Sequence, residues 1–444
     1  MLKNTFLSGL MLCTFLVSAQ PKAFPTAGGF GAYATGGRGG EVFVVSNLND
    51  HGPGSLREAI EAKGPRIVVF KVAGTIELKK ELRITESDLT IAGQSAPGEG
   101  ITLKNFPLFV DGANNVIVRA IRVRPGTRSG LIGSEIDALQ IRNSKQVIID
   151  HCTFSWSVDE MMNTWHGTED LTIQWCIAAE SLTKSIHEKG AHGYGASLGG
   201  KRTSYHHNLF AHHTARNPSV AGNADENTIL MDFRNNVIYN WGHRTCDGKP
   251  LSINFVDNYY KPGPATSDKV KKRLVRVESA DQYGFRPQWY IAGNYMEGFP
   301  EAEQDNWKYA VEHSSDVLES DFRVDQPFDT APVATQPATE AYKSVLKNAG
   351  LIAPARDSWE KRILKEVKKG KVQNNQGHIN TIEDAGGWPI LKTGKAPRDS
   401  DNDGMPDRWE QKNGLNPNDP SDTKGDRNGD GYSNIENYLN SILP

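Results

Sequence analysis

The run Tyr205-His206-His207-Asn208-Leu-Phe-Ala-His212-His213-Thr-Ala-Arg216-Asn217-Pro218 gathers four histidines, an arginine and a proline. Upstream, oxygen-bearing side chains recur at repeat-like intervals: Glu135 and Asp137, Asp150 beside His151, Asp159 and Glu160, then Asn163. Hard cations such as Ca2+ take oxygen ligands, and a proton acceptor next to such a cation can act on an acidic substrate. The pattern therefore predicts calcium-assisted chemistry, with Glu135, Asp137, Asp159 and Asn163 as ligands. Taken singly, each histidine also reads as a wall residue of the fold, and adjacent acids as a solvated face. Register separates these readings: ligands on strands one coil apart would lie within ~5 Å of each other.

The strands are visible as an internal repeat. Val147-Ile-Ile-Asp-His-Cys152 echoes Leu171-Thr-Ile-Gln-Trp-Cys176, and the theme returns before Asn208, Asn236, Asn258 and Asn294. Each copy is rich in β-branched or aromatic residues and ends on a small polar residue before a turn. Successive ends lie 22 to 36 residues apart, which fits a parallel β-solenoid with loops of varying length. The four asparagines should stack as an inward ladder, each amide bonding the next. Cys152 and Cys176 share that ladder position one coil apart, where the spacing admits either a bridge or two stacked thiols. A short helix after Ser55, its N-cap, would close the open end of the solenoid.

Net charge is -3 over 444 residues, which leaves no basic footprint for nucleic acid. Lys3, an apolar run over residues 6 to 17 and Val17-Ser-Ala19 read as a secretory signal cleaved near Ala19. The expected location is outside the cell, in a periplasm or at the cell surface. Cysteines 152, 176 and 246 are too few for a disulfide scaffold. The expected organisation is a signal over 1 to 19, a β-solenoid over 20 to 300, an extension folding back over 301 to 396, and a tail over 397 to 444.

The tail places Asp399, Asp401, Asp403, Asp407 and Glu410 at positions 1, 3, 5, 9 and 12 of a loop with Gly404 at 6. That is calcium-loop spacing, where glycine permits the sharp turn. A second loop has Asp426, Asn428, Asp430 and Asn434, with Asn437 at its twelfth position. The pair resembles thrombospondin type 3 calcium-binding repeats and, less closely, dockerins. The resemblance implies a calcium-rigidified spacer or docking tail.

From about residue 32 to 294 the chain resembles bacterial pectate lyases of polysaccharide lyase family one. Thr35-Gly-Gly-Arg-Gly-Gly, Pro53-Gly-Ser-Leu-Arg-Glu-Ala-Ile, Thr90-Ile-Ala-Gly-Gln-Ser-Ala-Pro-Gly, Ile149-Asp-His and Ala215-Arg-Asn-Pro carry it. The resemblance implies an all-β, right-handed parallel β-helix with an N-terminal helical cap, acting on acidic plant-type polysaccharide as a monomer. It implies Ca2+-dependent β-elimination of α-1,4-polygalacturonate, leaving 4,5-unsaturated ends. Arg216 matches the base that removes the C5 proton. Asp137, Glu135, Asp159 and Asn163 match the calcium ligands, and His207 and Pro218 are expected to contact substrate. Ala221 stands where the family has a second active-site arginine, and Lys189 and His192 are the candidates for its lysine. Two other readings compete. A glycoside hydrolase would use Asp159 and Glu160 as a carboxylate pair, and an adhesin would only bind the glycan.

Overall fold

The computed structural model describes residues 20–127, 135–223, 226–314 and 318–444; the signal expected over 1 to 19 lies outside them. Its strands form three all-parallel sheets of ten, nine and nine strands. One coil shows the path. Lys145–Asp150 lies in the first sheet, Thr153–Ser155 in the second and Glu160–Asn163 in the third. Glu169–Gln174 then returns to the first sheet, pairing Val147 with Leu171 and Ile149 with Ile173. The chain is a right-handed parallel β-helix, the fold the repeat and the family motifs predict.

Alternation on each strand decides what faces where. Val147, Ile149, Leu171 and Ile173 point into the core, joined by stacked Phe233 and Phe255 at 5.2 Å. Asn208, Asn236, Asn258 and Asn294 form the expected ladder, and Asn306 extends it by one rung. Each amide donates to the next asparagine at 2.9–3.1 Å and accepts a backbone N–H of the preceding rung. The bend between the first and second sheets thereby buries no unmet amide at these rungs. Cys152 and Cys176 continue the same edge as free, buried thiols. At the front, the Ser55 side chain accepts the Glu58 N–H, and the helix Leu56–Glu61 buries Leu56, Ala59 and Ile60 over the open end.

The outer faces of two sheets are covered by other parts of the chain. Residues 23 to 34 pack on Ile117 and Ile148 of the first sheet. The helix Ser358–Lys369 lays Trp359, Ile363 and Val367 on Ile177, Leu209 and Tyr239 of the second. Buried polar pairs fix that helix: Arg122 to Glu360 at 2.8 Å, Arg124 to Asp357 at 2.7 Å, and Glu180 to Trp359 and Arg362 at 2.7 Å. The tail does not project as a spacer. Met405 and the apolar stripe Ile435, Tyr438 and Leu439 of the helix Asn434–Ile442 bury Ile67, Val69 and Ala92 of the first sheet. The third sheet instead presents a polar outer row, Gln140, Asn163, Ser197 and Ser219, in register on successive coils and part-exposed.

Candidate active site

Register on the third sheet brings Arg216 to the carboxylates. Glu160 pairs with Tyr194, and Tyr194 with Ala215, so three successive coils align one after another. Arg216 follows, in a left-handed conformation (φ 54°), and its carbonyl accepts the Ala196 N–H at 2.9 Å. A Cβ on Gly195 would stand 2.4 Å from that carbonyl, so only glycine admits this approach of two backbones. The Arg216 guanidinium reaches back beneath Tyr194, whose ring centroid is 4.6 Å from Cζ, and ion-pairs with Glu160.

Oxygens of Asp137, Asp159 and Glu160 all lie within 4.8 Å of one another. Asp137 is buried; it accepts from Gln140 Nε2 at 2.7 Å and from the Glu160 N–H at 2.9 Å, and Asn163 also bonds to it. Burial, with the Asp159 charge beside it, pushes the Asp137 carboxyl up to about 8. Asp159 Oδ1 is buried without a hydrogen-bond partner. Crowded, desolvated carboxylates with an orphaned oxygen fit a hard divalent cation, which would supply the missing partner. Burial pulls the Arg216 guanidinium below the ordinary arginine value, while Asp159 opposes that fall. Arg244 and Asp247, from the next coil, act on the same charge in opposite directions.

The other expected site residues divide. Glu135 is half-exposed and held by Lys189 in an ion pair, standing outside the carboxylate triad. His192 stacks on His187 at 3.5 Å, and the two Nε2 atoms stand 3.9 and 3.5 Å from the Asp159 oxygens. His207 does not join the site. It stands at the bend between the first and second sheets, stacked on Trp175 at 4.2 Å, and burial lowers it to about 4. Pro218 is also corrected: it is buried, and its carbonyl accepts the Asp247 N–H at 3.2 Å, so it shapes the strand and offers no open surface. Sequence reasoning did not single out Tyr194, His187 or Arg244. A tyrosine one coil beyond Glu160 is visible only once register is known.

The tail holds a second acidic cluster. Asp399, Asp401 and Asp403 converge, and Asp403 converges with Glu410 and Asp422. Both Glu410 oxygens are buried and unpartnered, as are Asp399 Oδ1, Asp401 Oδ2 and Asp422 Oδ1. Burial pushes Asp403 up to about 6 and Glu410 up to about 8. Asp407 does not take part, because its carboxylate accepts Ser400 N–H and Oγ at 2.7 and 2.8 Å; Asp422, from outside the loop spacing, completes the group. In the second loop, Asp426, Asn428 and Asp430 accept N–H groups of their own loop, and Asn434 bonds to Arg427 N–H and the Asp422 carbonyl. Only two of those four side chains are carboxylates.

The family model described as pectate lyase matches residues 1–224. Proteins named "Probable pectate lyase C" from Aspergillus fumigatus and Aspergillus flavus are 34% and 36% identical, each over 95% of this chain and 94% of its own length. Among solved structures, the cedar pollen allergen jun a 1 (18% identity, TM-score 0.52) covers 73% of this chain and 92% of its own. A Bacillus sp. N165 pectate lyase in complex with trigalacturonate (16%, TM-score 0.50) covers 73% and 98%. At such identities these two speak for the fold alone. Fold and relatives together define a polysaccharide lyase built on a parallel β-helix. The chain belongs to the pectate lyase family. These two relatives over nearly the full length are fungal, where the short motifs pointed to bacterial members.

Proposed function

We propose that the protein is a secreted, calcium-dependent pectate lyase that cleaves α-1,4-polygalacturonate by β-elimination. The observation that carries this reading is Arg216, drawn under Tyr194 to the Asp137–Asp159–Glu160 cluster on the part-exposed face of the third sheet. The C5 proton of a uronate is hard to remove because the adjacent carboxylate opposes a carbanion. Ca2+ held by Asp137, Asp159 and Glu160, with Asn163 beside them, would offset that charge.

The chain's own groups supply the rest. Arg216 accepts the C5 proton; the C5–H electron pair becomes the C4=C5 double bond as the C4–O bond breaks, and the departing O4 takes a proton from water. Arginine is a poor base at its ordinary value; burial lowers Arg216, and Arg244 adds to the effect. Lys189, paired with Glu135, and His192, beside Asp159, are the candidates to meet substrate carboxylates. The tail cluster of Asp399, Asp401, Asp403, Glu410 and Asp422 would hold a structural Ca2+ and so keep the tail folded on the first coils. Secretion rests on the signal-like residues 1 to 19.

Incubation with polygalacturonate should generate the ultraviolet absorbance of a 4,5-unsaturated uronate, abolished by chelator and restored by Ca2+. New reducing ends without that absorbance would mean hydrolysis. Binding without either product would mean an adhesin.

A further inference from the structure

The outer row of the third sheet does not stop at the catalytic cluster. Beyond Ser219 it continues through Asp247, Arg276 and Glu312 on the next three coils. Arg276 thus lies two coils, ~10 Å, past Ser219. Beside this stretch is a cavity of about 510 Å3 lined by Arg244, Asp247, Lys269, Arg273 and Arg276 among others. Two of its four cations are committed: Arg244 to Asp247 at 2.6 Å and Arg273 to Glu312 at 2.8 Å. Arg276 and Lys269 are exposed and have no ion-pair partner among the described residues.

The opposite end of the row differs. There Arg83 and Arg142 both pair with Asp111 and lie over the Phe109 ring at 4.0 and 4.5 Å. Their charge is met by Asp111, with Glu81 as a second partner of Arg83. At that end the arginines of the row are paired, whereas Arg276 and Lys269 are not. A structural ion-pair network accounts for Arg244 and Arg273 but leaves Arg276 and Lys269 unexplained.

We infer that this cavity is an anion-binding subsite for carboxylates of the polyuronate chain beyond the position of cleavage, with Arg276 and Lys269 as its ligands. The inference rests on the polyuronate reading above. It makes the enzyme grip long, de-esterified chains from one side of Arg216, because methyl esters remove the charge these residues read. All of these residues fall after residue 224, the end of the family-model match.

The test compares wild type, the double variant Lys269→Ala/Arg276→Ala, the charge-reversed Lys269→Glu/Arg276→Glu, and Lys63→Ala, which removes an exposed charge elsewhere. Binding of polygalacturonate is measured by calorimetry in chelator, and turnover by ultraviolet absorbance with Ca2+. The alanine pair should bind ~10-fold more weakly at low salt, the scale of two part-exposed ion pairs. Its KM should rise in step while kcat stays within twofold, and its affinity should depend less on salt. Charge reversal should weaken binding further, and Lys63→Ala should match wild type. Equal binding by wild type and both double variants, in a protein that makes unsaturated product, overturns the subsite alone. A wild type that neither binds pectate nor makes that product overturns the functional reading and the subsite with it.

Discussion

Glu160 and Arg216 are ion-paired across the strand that carries Tyr194, so the proposed base and the carboxylate cluster are held by one contact. Glu160 stabilises the charged guanidinium and also lends an oxygen to the cluster. Glu160→Gln should therefore have two separable effects. Calcium affinity, measured by calorimetry, should fall ~10-fold, the scale of losing one charged ligand. The rising limb of the rate–pH profile, where Arg216 loses its proton, should move to lower pH, because removing an anion next to Arg216 disfavours its protonated form. A calcium affinity equal to wild type would remove Glu160 from the ligand set.

Asp137 makes calcium binding pH-dependent. Its folded value, about 8, lies above the ordinary carboxylate value of 3.8, so protons compete with the cation throughout the interval between them. Apparent affinity should rise with pH by up to about tenfold per unit and level off near pH 8. In Asp137→Asn the remaining, weaker binding should lose most of that slope. Titrations at pH 6, 7 and 8 check this.

The tail cluster predicts a reversal. Glu410 is raised to about 8 and Asp403 to about 6, so ionising them costs the ion-free fold stability as pH climbs above their unfolded values of 4.5 and 3.8. In chelator at pH 8, Glu410→Gln should melt a few degrees higher than wild type, since it removes a buried unpaired charge. With saturating Ca2+ the order should invert. Differential scanning calorimetry under both conditions decides it, and an unchanged order would argue against an ion there.

The asparagine ladder is the fold's main internal polar device. Asn236 accepts from Asn208 and donates to the Tyr205 carbonyl at 2.8 Å and to Asn258 at 3.1 Å, all buried. Asn236→Ala should destabilise the protein by about 2–4 kcal/mol, because it strands several buried donors and acceptors. Chemical denaturation measures the change.

The ladder was legible because each rung ends a strand of recognisable composition. Asn306 was not, since it opens the helix Asn306–Ala310 after the repeat has ended and reaches the ladder from outside the pattern. Arg216 and Asp137 could be named from motifs and spacing. Tyr194, Arg244 and Asp422 could not: each arrives through a loop whose path only the coiling fixes. His207 misled because adjacent residues at a bend point to different walls. It faces Trp175, while Arg216, nine residues later, has already turned onto the third sheet. Pro218 misled for another reason, since a motif residue can serve the backbone alone.

The most direct measurement is the turnover of Arg216→Lys on saturating polygalacturonate with Ca2+, alongside its affinity for both. Lysine keeps the positive charge but neither the reach nor the planar fork that meets Glu160 and lies beneath Tyr194. If Arg216 accepts the C5 proton, kcat should drop ~100-fold or more while substrate and calcium affinities stay within a few-fold of wild type. A kcat near wild type would contradict the account and move the base to Lys189, His192 or the neighbouring His187.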